Sequence, residues 1–225
     1  MEQNNMIELN GVTKRLEGRL LYENITLTVQ RGEIVGFVGS NGSGKSVLFK
    51  LICGLMRADE GTVYVNGERL GDKNDFPKDT GVLIDSPGYI ELYSGFQNLK
   101  MIASILNKID DKQIEETMKL VGLDPYNKTK VKNYSLGMKQ KLGIAQAIME
   151  NQQLLILDEP FNGLDFKTIK ELQQIIRRLN EEGKTILLTS HEHEYLEKLC
   201  NRMYMIDEGK VMPFTDEIKQ KYFTL

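Results

Sequence analysis

The sequence predicts an α/β fold: a mixed core sheet, a strand-rich antiparallel opening and a helical subdomain set into the middle. Three observations carry this. The runs IVGFVG (34–39) and LLILD (154–158) are the strongest apolar stretches, each about strand length, and TILLTS (185–190) reads as a third buried strand. The last two are joined by an amphipathic helix pattern, as in a βαβ unit. From about residue 86 to 150 the apolar spacing is helical throughout. The 225 residues carry a net charge of −3, with 40% hydrophobic and 27% charged content, which excludes a disordered or collagen-like chain. The slight acidity also argues against a nucleic-acid binder, which needs a basic surplus.

Taken in order, MIELNGVTK and NITLTVQ alternate as half-buried strands, and IVGFVG is a buried one. The glycine-rich GSNGSGKS leads into a helix, KSVLFKLICGL. GTVYVNGERL is a hairpin, with Asn66-Gly67 as a type I′ turn. TGVLID is a further strand. NLKMIASILN, DKQIEETMKLVGL and LGMKQKLGIAQAIME are helices separated by Pro, Gly and Asn. LLILDEP, FKTIKELQQIIRRLNEEG and KTILLTSH then read as strand, helix and strand. The short helix HEYLEKLC and the hairpin NRMYMIDEGKVM follow. No stretch approaches the ~18 apolar residues of a membrane helix. The opening MEQNNMIELNG has no leader pattern, and Cys53 and Cys200 show no metal-ligand spacing, so a cytosolic chain is expected.

Residues 39–46 match the phosphate-loop pattern GxxxxGK[ST]. Gly39, Gly42 and Gly44 let the backbone turn, so that N–H groups of Ser40, Asn41, Ser43 and Val47 can converge with theirs on phosphate oxygens. Lys45 brings charge to the β and γ phosphates, and the Ser46 hydroxyl can reach Mg²⁺. Further along the chain, LLIL delivers Asp158 and Glu159 to the end of a strand. There one carboxylate can serve Mg²⁺ and the other can activate water. Two strings, DSPG at 85–88 and NKID at 107–110, match guanine-nucleotide motifs. Their separation is too short for the strands and helices that should lie between them, so they are read as decoys.

Three further pieces surround the acidic strand end. Ser135 caps a helix with Gly137 in its first turn, Asn162-Gly163-Leu164-Asp165 is a turn before a helix, and His191 ends a buried strand. With these motifs in order, the chain resembles an ATP-binding cassette (ABC) ATPase, the motor subunit of an ABC transporter. GSNGSGKS resembles the Walker A motif, YSLGMKQ the signature, LLILDEP the Walker B with its glutamate, NGLD the D-loop and His191 the switch histidine.

The resemblance implies a P-loop NTPase fold with a RecA-like core, over one cassette spanning 1–225. It implies that two subunits sandwich ATP and Mg²⁺, with Ser135 and Gly137 facing the partner's nucleotide. It implies a separate transmembrane permease and residence on the cytoplasmic face of the cell membrane. A homodimer is favoured over two different cassettes, and no nucleic acid is expected. The YSLGMKQ form resembles cassettes of antibiotic- and peptide-resistance exporters. The alternative class, soluble cassettes acting on ribosomes or DNA, usually carries two cassettes or a long coiled-coil insertion, and neither is visible. Asp85 stands where the family has a glutamine near Mg²⁺ and is carried as a metal-side candidate. Leu16 stands near the adenine-stacking aromatic, so an apolar base contact that also accepts GTP is expected.

Overall fold

The computed structural model describes residues 4–71, 75–85 and 88–223. Alternation in the first thirty residues produces a long hairpin of β1 (Asn5–Leu16) and β2 (Arg19–Gln30), turned at Glu17-Gly18 with both residues at positive φ. β3 (Ile34–Val38) follows and leads through the glycine loop into α1 (Lys45–Ile52). β4 (Glu60–Val65) and β5 (Glu68–Arg69) form the expected hairpin, with Asn66 and Gly67 both at positive φ. These strands make an antiparallel sheet in the order β2-β1-β4-β5.

The second sheet begins with β6 (Thr80–Leu83). The helical middle then runs through α2 (Gly95–Leu106), α3 (Asp111–Leu120) and α4 (Leu136–Ile148). Each starts on a side-chain cap: Ser94 in a reciprocal box with Gln97, then Asp110, then Ser135. The NKID string resolves here. Asn107 is the left-handed C-cap of α2 and Asp110 is the N-cap of α3, so the four residues are a helix–helix junction. Ser86 and Pro87, inside DSPG and at the start of the helical stretch, lie outside the described residues.

β7 (Leu154–Leu157), α5 (Phe166–Glu181), β8 (Thr185–Ser190), α6 (His193–Glu197), β9 (Arg202–Asp207), β10 (Lys210–Pro213) and α7 (Asp216–Phe223) complete the chain. The final helix α7 is an element that the apolar spacing did not reveal. The six-stranded sheet has the order β10-β9-β3-β8-β7-β6, parallel except where β10 returns along β9.

Period-2 geometry divides the apolar residues between two cores. Ile34, Val38, Leu155, Leu157, Ile186 and Leu188 face one core with α4 and α5. Val35, Phe37, Leu154, Ile156 and Leu187 face the other, with α1 and the antiparallel sheet. Helix α5 buries Ile169, Leu172, Ile175, Ile176 and Leu179, the three-to-four-residue stripe its sequence shows. Because β8 lies between β3 and β7, the loops after these three neighbouring strands open at one edge of the sheet, where parallel α/β folds gather their ligands.

Candidate functional site

The glycine loop joins β3 to α1 with Gly42 and Gly44 both at positive φ. A side chain at Gly44 would be strained there, and its Cβ would lie 2.7 Å from the Tyr22 hydroxyl. Tyr22 reaches in from β2 and donates to the Gly44 carbonyl at 2.7 Å. Burial raises its phenol pKa well above the ordinary value, so the group stays a donor.

Helix α1 has no side-chain cap, and its first intrahelical bond is donated by Leu48 to the Gly44 carbonyl. The N–H groups of Lys45, Ser46 and Val47 precede that bond, at the positive end of the helix dipole. Ser40, Asn41 and Gly42 are exposed along the loop, whereas Gly39 is buried. The Ser43 hydroxyl is buried with no hydrogen-bond partner. An orphaned hydroxyl beside free helix N–H groups fits an anion with several oxygens.

Lys45 is only 6% exposed. Its ammonium donates to the Gly39 carbonyl at 2.8 Å and the Ser40 carbonyl at 3.2 Å, and it pairs with Glu159 Oε1 at 3.2 Å. That ion pair falls short of hydrogen-bond geometry, which leaves Glu159 Oε1 a buried acceptor without a donor. The other oxygen, Glu159 Oε2, lies 3.0 Å from His191 Nδ1 and accepts from the His191 backbone N–H. Asp158 is buried beside it, with its Oδ1 accepting from the Thr189 hydroxyl at 2.5 Å. The structure therefore brings Lys45, Asp158, Glu159 and His191 into one connected group.

The remaining candidates are arranged differently. Asp85 lines a cavity of about 460 Å³ together with Tyr89, Leu136, Gln140, Asp158 and Glu159. Its carboxylate is 63% exposed and pairs with Lys50 at 2.8 Å, so it is turned toward α1. Ser135 is exposed, and its hydroxyl accepts from the Met138 N–H of its own helix. Gly137 packs on α5, where a Cβ would come within 3.0 Å of Thr168 Cγ2. No bond between Ser135 or Gly137 and the phosphate loop occurs among the described residues. Leu16 is 43% exposed at the hairpin tip and offers an apolar surface without a ring.

Two contributors escaped the sequence reading, Tyr22 and Thr189. Thr189 left no distinctive signal, being one of three polar residues in the buried strand TILLTS. Tyr22 left none, because a tyrosine in an alternating strand is ordinary. As for metal, Ser46 and Asp158 suit Mg²⁺, which is commonly held by one or two protein oxygens together with substrate phosphates. The orphaned Ser43 hydroxyl and the uncapped α1 N-terminus fit the phosphates such an ion accompanies.

The ABC transporter family profile matches residues 22–162. The chain is 37% identical over 206 residues to YybJ of Bacillus subtilis (strain 168), an uncharacterised ABC transporter ATP-binding protein, covering 92% of this chain and 94% of that one. It is 34% identical to the lantibiotic transport ATP-binding protein SrtF of Streptococcus pyogenes, over 92% of this chain and 89% of that one. It is also 34% identical to the bacitracin transport ATP-binding protein BcrA of Bacillus licheniformis, over 96% and 72%. Among solved structures, an ATP-binding subunit of an ABC transporter superposes with a TM-score of 0.82 at 27% identity, over 97% of this chain and 94% of that one. A dimeric ATP-binding cassette in a post-hydrolysis state, bound to ADP and Pi, superposes with a TM-score of 0.80 at 26% identity, over 92% and 96%. The fold, the ordered motifs and these likenesses agree: the chain belongs to the ABC transporter family and is one of its ATP-binding, ATP-hydrolysing subunits.

Proposed function

We propose that this chain energises an exporter whose membrane-spanning part is a separate permease, and that it acts as one cassette with its helical subdomain at about 86–150. No helix among the described residues is long and apolar enough to cross a membrane. The proposed position is the cytoplasmic face of the cell membrane, against that permease. The likenesses to SrtF and BcrA favour a peptide antibiotic as cargo.

The observation that carries the catalytic reading is the connected group of Lys45, Asp158, Glu159 and His191 beside an uncapped helix N-terminus. Gly39 to Val47 would wrap the phosphates, with Lys45 moving its charge from Glu159 to the γ-phosphate. Ser46 and Asp158 would hold Mg²⁺, with Asp85 at the metal side only after leaving Lys50. Mg²⁺ would supply charge neutralisation at the phosphates. Glu159, released from Lys45, would orient water and take its proton, while His191 keeps that carboxylate aimed. Ser135 and Gly137 make no bond to the phosphate loop of their own subunit among the described residues, and in this reading they close over the nucleotide of a second copy.

The test is Glu159→Gln. It removes the proton acceptor but keeps the shape, so turnover should fall by about 10²–10⁴-fold. The variant should also run as a dimer on gel filtration when ATP is present. A variant that stays monomeric at saturating ATP would contradict the sandwich. Affinity purification from membranes should recover a multi-span permease, whereas recovery of ribosomes or DNA would favour the soluble class.

A further inference from the structure

We propose that Thr189 is a positioning residue for hydrolysis, clamping both Walker B carboxylate residues to strand β8. The inference rests on the catalytic reading above. Parallel register sets Leu157 beside Leu188, so Asp158, the first residue past the end of β7, lies next to Thr189, which is still within β8. Thr189 is fully buried, and its single hydroxyl is used in both senses. It donates to Asp158 Oδ1 at 2.5 Å and accepts from the Glu159 backbone N–H at 2.7 Å.

Each half of this arrangement has a consequence. The first bond requires Asp158 to present an acceptor oxygen, and it restrains the rotation of the carboxylate, leaving Oδ2 outside this bond. The second pins the backbone of Glu159, which sits at φ +47, a region that non-glycine residues enter at a cost. A backbone in that conformation needs an external hold, and Thr189 supplies one. Two residues further on, the same strand end carries His191, whose ring and N–H hold Glu159 Oε2. Strand β8 thus fixes Glu159 from both its backbone and its side chain, through Thr189 and His191.

A threonine hydroxyl is small enough to fill this gap in a buried strand and can donate and accept at once. Valine has nearly the same shape and neither capacity. Partners that act behind a ligating carboxylate are commonly worth about 10–100-fold in activity or metal affinity. The experiment compares Thr189→Val, Thr189→Ser and Glu159→Gln by steady-state hydrolysis, thermal melting and the Mg²⁺ dependence of binding a fluorescent ATP analogue. Thr189→Val should lose about 10–100-fold in kcat with little change in KM for ATP. It should also need more Mg²⁺ for half-maximal enhancement of nucleotide binding. Thr189→Ser, which restores the hydroxyl, should regain most of both.

If Thr189→Val turns over like the unmodified protein while Glu159→Gln does not, the clamp is wrong. If Glu159→Gln itself retains turnover, the catalytic reading fails first. Should Thr189→Val lose its cooperative melt, Thr189→Ala takes its place with the same readouts. A Thr189→Ser variant as inactive as that deletion also overturns the proposal.

Discussion

The polar side chains at the ends of β3, β7 and β8 hold one another, whereas the polar side chain at the start of α4 turns back on its own helix. At the strand ends, Lys45, Glu159 and His191 are joined by contacts of 3.0 to 3.2 Å, and Thr189 ties Asp158 to Glu159. At α4, the Ser135 hydroxyl is spent on its own helix, and Gly137 rests on Thr168 of α5. Five polar side chains linked in one network behave as a unit, and changing one disturbs the rest. A capped helix end with an exposed serine is a finished piece of local structure with a free outer face. The difference teaches that one region is organised for chemistry within the chain, while the other is prepared for something outside it.

The largest break in that comparison should come from Lys45→Met. It removes the charge that reaches the phosphates and leaves Glu159 Oε1 without its ion-pair partner. Hydrolysis is expected to fall by about 10²–10³-fold, as when a single electrostatic donor is lost from a transition state. Circular dichroism should report an intact fold, because the lysine contributes to the loop and not to either core. Turnover close to that of the unmodified chain would mean that the phosphates bind elsewhere.

Ser135→Ala should act more weakly on the chain and as strongly on turnover. Losing the N-cap costs about 1 kcal/mol of stability. Turnover should vanish only because the exposed serine is needed by a second copy. Mixing Ser135→Ala with Lys45→Met tests this directly. In a mixed dimer both defects fall on one nucleotide site, and the other site has an unaltered lysine and an unaltered serine. Recovered activity in the mixture, absent from either variant alone, is the expected result. No recovery would place Ser135 in service of its own subunit.

The contrast also explains what could be read before the fold was known. GSNGSGKS and LLILDEP were legible because contiguous residues make each cradle, so spacing alone carries the geometry. The Ser135 cap was legible for the same reason. Thr189 was not, because its partners lie about thirty residues away in sequence and meet it only through the β7–β8 register. Tyr22 was hidden more deeply, since it supports a loop from the other sheet. Helix α7 was missed because few of its residues form an apolar stripe. What holds it is a minimal apolar pair, Ile218 and Tyr222, packed on the core, together with a bond from the Tyr222 phenol to Asp207 and an ion pair from Lys219 to Glu197. The turn at Asp85 and the Lys50 pair likewise depend on how α1 passes β6, which no local pattern encodes.

The smallest expected effect lies just behind the signature helix, at Asp165. It caps α5 by accepting from the Thr168 N–H at 3.0 Å and the Thr168 hydroxyl at 2.7 Å. That hydroxyl, followed by the N–H, holds the carboxyl below the usual carboxylate range. A depressed folded-state pKa adds stability that is complete above the unfolded value, near 3.9 for aspartate. The contribution is lost as pH falls through the folded value. Asparagine caps about as well as aspartate but does not titrate. Asp165→Asn should therefore melt slightly below the unmodified chain at neutral pH, and the gap should close as the pH drops through the carboxylate range. A gap that stays constant down to acid pH would show that the charge at Asp165 contributes nothing.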